Sequence, residues 1–108
     1  MARDYEAVAR KVDAIEAEMK RIGAWQAQPL PAGRLDFEQA FGADKLAFEQ
    51  WLQFVLVPRV RDIVATRGDF PQGSEVATQA FREWKMFGER DDVDRLLELL
   101  REFDAMFE

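Results

Sequence analysis

The side chains that most often carry enzyme chemistry are absent from this sequence. Its 108 residues include no cysteine and no histidine, so there is no thiolate nucleophile and no imidazole to act as a general base near neutral pH. Disulfides, thiolate metal sites and serine–histidine nucleophilic sites are excluded for the same reason. An enzyme built from this chain would have to use carboxylates, lysine or Tyr5, and the spacing of these residues nominates no pair.

Carboxylates are plentiful, but their positions favour surface roles. Glu16, Glu18, Glu83 and Glu98 are predicted to lie off the apolar faces of their helices, in solvent. The di-iron pattern of helical bundles needs Glu-x-x-His on facing helices, which a chain without histidine cannot build. The acidic run 91–94 lacks the glycine and the spaced glutamate of an EF-hand and is explained as the first turn of a helix. We therefore expect no enzymatic activity, no metal and no cofactor.

The negative charge of the chain is concentrated near its C-terminus. The formal net charge is −6, and residues 89–108 contribute −5 through eight acidic and three basic residues. Such a domain is a poor non-specific binder of nucleic acid, because the phosphate backbone needs a cationic surface. Arg59, Arg61 and Arg67 form one basic group without a glycine-rich loop or interleaved exposed aromatics. We interpret them as surface charge and expect no direct nucleic-acid binding.

No stretch of the sequence approaches the roughly 20 apolar residues that a membrane-spanning helix needs. Residues 3–21 hold five basic and five acidic side chains, which leaves no apolar core for a signal peptide. Arginine outnumbers lysine eleven to four, a bias that GC-rich codon usage in a bacterium would explain. We expect a cytoplasmic bacterial protein with no membrane contact.

Apolar residues recur at helical spacing in four segments, and no strand pattern competes with them. Asp4 is predicted as the N-cap of the first helix and Gly23 as its C-terminal cap. The predicted helices cover residues 5–22, 44–68, 74–87 and 91–107. Four such helices joined by loops predict an all-α fold, an antiparallel up-and-down helical bundle in which residues 1–108 form a single domain.

Two local features of this bundle follow from proline and serine positions. Prolines within residues 24–36 disfavour helix there and predict a long connector after the first helix, lying across the bundle. Ser74 is predicted as the N-cap of the third helix.

The second helix has an unusually wide apolar face. At about 100° per residue its large apolar side chains cover an arc of about 200°, far wider than the stripe of an ordinary surface helix. These side chains are Phe48, Trp51, Leu52, Phe54, Val55 and Leu56. The opposite side carries a narrow uncharged stripe that includes Gln50, Gln53 and Val57, so Gln53→Glu is expected to leave thermal stability almost unchanged. Pro58 is predicted to kink the helix or to restart it within a first turn.

Residues 41–59, which read FGADKLAFEQWLQFVLVPR, resemble the signature of the YqcC-like proteins, a bacterial family of unknown function. The similarity extends to Trp25 after the first helix, to the Phe70-Pro71 turn and to the C-terminal helical region. Ala40 and Lys45 depart from the pattern, which has a proline and a small hydroxyl residue there. The resemblance implies an up-and-down helical bundle, and a gene that in some bacteria lies beside one for a tRNA pseudouridine synthase. It implies no activity and no catalytic residues.

The preferred function is a non-enzymatic protein-interaction module, with a protein partner or a second copy of itself, accessory to a tRNA pseudouridine synthase pathway. Trp25, Trp51 and Arg59 are predicted as anchors, because aromatic and arginine side chains dominate interfaces, and Gln50 and Gln53 as orienting hydrogen-bond groups. The full set of candidate residues is Trp25, Phe41, Phe48, Gln50, Trp51, Gln53, Pro58 and Arg59.

The alternative function is a small-molecule-binding bundle. In this reading the aromatic side chains of residues 25–54 line a pocket, and Arg59 receives an anionic group of the ligand. A well-formed apolar cavity would favour this alternative, whereas a flat exposed patch would favour protein docking. The sequence leaves open whether Trp51 and its neighbours belong to the core or to the surface.

Overall fold

The computed structural model describes residues 4–28, 47–70, 72–86 and 91–107, and all regular structure in these ranges is helical. The helices are α1 (Tyr5–Arg21), α2 (Phe48–Trp51, π turn Leu52–Leu56, Val57–Thr66), α3 (Val76–Phe81, π turn Arg82–Met86) and α4 (Asp94–Ala105). Helix α2 thus combines two α-helical parts with a π-helical turn between them, and α3 ends in a second π-helical turn. Helix α1 packs on α2 and α4, and α3 packs on α4, which confirms the predicted all-α bundle of four main helices.

Some predicted features lie outside the described residues. They are Phe41, the start of the second helix at Asp44, the end of the third at residue 87, and residues 29–36 of the connector. Within the described ranges, no helix has the length and apolar character needed to cross a bilayer.

Both ends of α1 follow the prediction. The Asp4 side chain accepts a hydrogen bond from the Ala7 backbone N–H at 3.0 Å, which satisfies one of the free donors of the first turn. Gly23 has φ 74°, and the following residue, Ala24, donates its N–H to the Met19 carbonyl at 2.8 Å. A left-handed glycine of this kind ends a helix without the strain that a side chain would bring.

The acidic residues of α1 are more engaged than predicted. Glu18 is buried, and its carboxylate accepts two hydrogen bonds from the Arg21 guanidinium. Glu16 forms ion pairs with Lys20 at 2.7 Å and with Arg61 of α2 at 2.7 Å. The hydrogen bond from Arg21 lowers the pKa of Glu18, and the hydrogen bond from Lys20, with Arg61 adding to it, lowers that of Glu16. The predicted exposure to solvent is wrong for the Glu16 and Glu18 carboxylates, because each lies beside a basic side chain from α1 itself or from α2.

The π turn corrects the predicted face of α2. The Val57 N–H donates to the Leu52 carbonyl, five residues back, so this turn holds one residue more than an α turn. A uniform step of about 100° per residue therefore misplaces everything after it. Val57, predicted on the outer stripe, is only 2% exposed. Pro58 is the second residue of the α-helical part that follows, which matches the second of the two predicted alternatives, a restart with proline in the first turn.

The N-terminus of α3 is capped from another helix. Ser74 was predicted as the N-cap, but the N-cap position is Glu75, whose side chain makes no capping bond. Asp104 of α4 does the capping: its carboxylate accepts hydrogen bonds from the N–H groups of Val76 at 3.0 Å and Ala77 at 2.8 Å. The Ser74 hydroxyl also donates to Asp104, so the serine holds the cap instead of forming it.

Removing this cap should destabilise the fold. Asp104→Ala is expected to lower the free energy of unfolding by about 1–3 kcal/mol, because buried amide donors lose their acceptor. Asp62→Ala is the matched control, since the Asp62 carboxylate is exposed and bonds to no described residue. Urea denaturation measures both, and equal losses in the two variants would contradict the capping role.

Candidate functional site: an apolar groove beside helix α2

An apolar groove of about 290 Å³ runs between α2, residues 70–76 and α4. We call it the α2 groove. Its lining side chains come from three separate parts of the chain and are mostly apolar. They are Trp51, Val55, Leu56, Arg59, Val60 and Ile63 of α2, Phe70 and Gly73–Glu75 of the following loop, Val76 of α3, and Phe103 and Phe107 at the C-terminal end.

Helix α2 presents one continuous row of side chains to the groove. Trp51, Val55, Arg59 and Ile63 follow each other four residues apart, and all four line the groove. Val55 and Ile63 are partly exposed and are not among the described side chains that pack on the buried core. The groove therefore contains apolar surface that the described part of the fold leaves accessible.

Aromatic contacts hold the far wall of the groove in place. The ring of Phe70 lies 5.1 Å from that of Phe107 and 5.2 Å from that of Tyr5, and Phe103 lies 4.8 Å from Phe107. The Tyr5 hydroxyl donates a hydrogen bond to the Gly68 carbonyl at 2.7 Å. These contacts hold Phe70 and the Gly68 backbone in place beside the groove.

Two charged residues lie at the rim of the groove. Arg59 is exposed and forms no hydrogen bond or ion pair with any described residue. Glu75, at the start of α3, is also exposed. A guanidinium with free donors beside an apolar concavity can receive a carboxylate or phosphate from whatever fills the concavity.

The two signature glutamines are engaged inside the protein. The Gln53 carboxamide donates to the Gln26 carbonyl at 2.7 Å and accepts from the Gln26 N–H at 2.9 Å. Gln50 donates to the Gln26 side chain at 3.0 Å and accepts from the Ala47 N–H at 3.0 Å. Gln53 is only 7% exposed, so its predicted place on the outer stripe is wrong. The reason is that a primary amide, with both donor and acceptor, complements the main chain of the connector that packs there.

The remaining predicted residues do not meet in one place. Phe48 is buried in the core, where its ring contacts the edge of Trp84 at 5.2 Å. Trp25 is partly buried under Lys20, whose ammonium lies 5.4 Å from its ring, and shares a shallow depression with Gln50, away from the α2 groove. Pro58 is exposed and does not line the groove. Of the described candidates, only Trp51 and Arg59 belong to the groove.

Most of the groove lining could not be read from the sequence. Val60 and Ile63 lie in the predicted second helix but are not among the candidate residues, and Phe70 was identified only as part of a turn. The available signal was the helical spacing of the apolar residues Val60, Ile63 and Val64 after Pro58. In chemical terms the groove is suited to binding: the carboxylates of lowered pKa lie elsewhere, in ion pairs. No described residues form an acidic cluster able to hold a metal ion.

The buried amide of Gln53 predicts a destabilising effect of an isosteric change. In Gln53→Glu the carboxylate loses its donor and faces the Gln26 carbonyl, so we expect the free energy of unfolding at pH 7 to fall by about 2–4 kcal/mol. The loss should shrink below about pH 4, where a protonated carboxyl can again donate and accept. Chemical denaturation at both pH values tests this, with exposed Gln72→Glu as the control. A loss at pH 7 no larger than in the control would contradict the internal role.

Comparisons with known proteins agree with this fold. A family model described as DUF446, tRNA pseudouridine synthase C, matches residues 7–106. An uncharacterised protein of Haemophilus influenzae is 24% identical over 78 residues, which is 72% of this chain and 74% of the relative. The solution NMR structure of YqcC from E. coli has a TM-score of 0.82 at 23% identity, covering 95% of this chain and 86% of that one. Because the family model covers residues 7–106, the chain belongs to the YqcC-like DUF446 family.

Proposed function

We propose that this protein is a non-catalytic interaction module whose α2 groove receives an apolar side chain of a protein partner. The observation that carries the proposal is the partly exposed face of Val55 and Ile63, which the described chain leaves uncovered. Apolar concavities with a charged rim are typical of the pockets that hold interface anchors. Trp51 and Arg59, both at the groove, are of the residue types most enriched at such anchors.

The size of the groove supports a side chain as its occupant. At about 290 Å³ it lies at the lower end of the roughly 300–1,000 Å³ range of small-molecule pockets. One aromatic or leucine side chain fits this space, whereas a large cofactor does not. Groups suited to catalysis do not converge there, since the lining is apolar except at its rim.

The family description supports a partner in RNA modification. It names a tRNA pseudouridine synthase, and we propose that such an enzyme is the partner and that this chain is its accessory subunit. The α2 groove supports an accessory role because it offers apolar contacts and an arginine. The carboxylates of lowered pKa support it as well, since they lie in ion pairs.

A second candidate function is the binding of a small amphipathic anion. Its apolar part would fill the groove, and its carboxylate or phosphate would pair with Arg59. The concave shape of the groove is the observation that favours it, because a flat patch would offer no such enclosure.

The docking proposal predicts the affinity of groove variants for a purified tRNA pseudouridine synthase from the same organism. Arg59→Glu and Ile63→Gln should each weaken binding by about tenfold or more in isothermal titration calorimetry, because each removes one anchor contact. Both side chains are at least partly exposed, so the melting temperature should change little.

Arg10→Glu provides the charge-matched control. Arg10 is exposed on α1, outside the groove, and bonds to no described residue. Equal affinities for wild type and the two groove variants would contradict docking through the groove. Pseudouridine formation by this chain alone on tRNA, detected by mass spectrometry, would overturn the accessory role.

A further inference from the structure

A second depression adjoins the α2 groove. It has a volume of about 680 Å³ and lies between α3 and α4, and we call it the arginine depression. Among its lining residues are Phe81 and Arg82 of α3 and Arg101 of α4. Ser74 and Glu75 line both this depression and the α2 groove, so the two are adjacent and meet at the start of α3.

The exposed aromatic of this depression stands out. Phe81 is 41% exposed, and within the described ranges it is the one large hydrophobic residue that the fold leaves exposed. Its neighbours Arg82 and Arg101 are also exposed, and neither forms a hydrogen bond or ion pair with a described residue. An exposed phenylalanine beside two guanidinium groups with free donors combines the groups that anchor and orient a docked chain.

The charges around this surface favour an acidic occupant. With Arg59, three arginines border the two depressions, while Glu75 is the exposed acid between them. The other acid of the lining, Asp104, is partly buried, and its carboxylate accepts three hydrogen bonds, from Ser74, Val76 and Ala77. The chain as a whole carries −6. The net negative charge of the protein repels an acidic segment, whereas the three arginines attract it to this surface. The segment is therefore bound in a defined orientation.

We propose that the α2 groove and the arginine depression together bind an acidic segment of a partner protein. An apolar residue of that segment fills the groove, and carboxylates a few residues away pair with Arg82 and Arg101, beside Phe81. This inference rests on the proposed docking function and names the chemistry of the partner. Single-stranded RNA fits less well, because Phe81 is one stacking platform without a row of others and the chain has a net negative charge.

The test is selection from a displayed library of random 12-residue peptides on the immobilised protein. We expect the enriched peptides to carry at least two acidic residues near an aromatic residue or leucine. A synthetic peptide of that sequence should lose about tenfold or more in affinity for the Arg82→Gln/Arg101→Gln variant and for Ile63→Gln, and none for Arg10→Gln. Replacing its acids with lysine should make it prefer an Arg82→Glu/Arg101→Glu variant over wild type, which loss of folding cannot produce.

Other outcomes would contradict this inference in different ways. Apolar peptides that depend on Ile63 but not on the two arginines would overturn the acidic-segment inference and leave groove docking intact. Acidic peptides whose affinity is unchanged by Ile63→Gln would show that the groove is not part of the binding surface, and would overturn this inference. No enrichment would count against both proposals. Arginine-dependent binding of a 12-nucleotide oligouridine, with no peptide selected, would overturn the inference in favour of RNA.

Discussion

Proline at position 58 is the constraint on which the arrangement of α2 depends. Because it has no N–H to offer the carbonyl of Phe54, a regular α-helix cannot continue through this point without loss. The helix instead widens at Leu52–Leu56 and restarts with the proline in its next turn. The extra residue in the π turn brings Val57 into the core and leaves Val55 beside the groove. The π turn before this proline thus bears on which apolar side chains are buried and which line the groove.

Polar side chains hold the connector after α1 and the start of α3 in place. Gln53 matches both main-chain groups of Gln26, and Asp104 supplies acceptors to the first amides of α3. Each of these groups is satisfied within the protein, as buried polar groups must be. The groove contrasts with them, since Val55 and Ile63 do not pack on the buried core and Arg59 forms no hydrogen bond or ion pair with a described residue. That contrast is the physical basis for assigning function to the groove and stability to the glutamines.

Local sequence patterns predicted most of the fold. The features that depend on contacts between distant parts of the chain could not be predicted. The ends of α1 could be read from Asp4 and Gly23, because a cap acts within a few residues of its own helix. The cap of α3 could not, since it comes from Asp104, about thirty residues away. Val57 was misplaced because a π turn breaks the regular helical angle, and Gln53 because the connector that covers it is distant in sequence. The groove escaped prediction because its walls come from three elements that only the packed chain brings together.

The central claim is that the α2 groove is an open apolar site, and methyl NMR of the free protein with a soluble, uncharged gadolinium chelate tests it most directly. The account predicts strong broadening of the Val55 and Ile63 methyl signals and little change for the core residues Val12 and Leu96. Protection of the groove methyls equal to that of the core, with nuclear Overhauser contacts to residues 29–46, would show instead that the chain fills its own groove. That result would contradict the account.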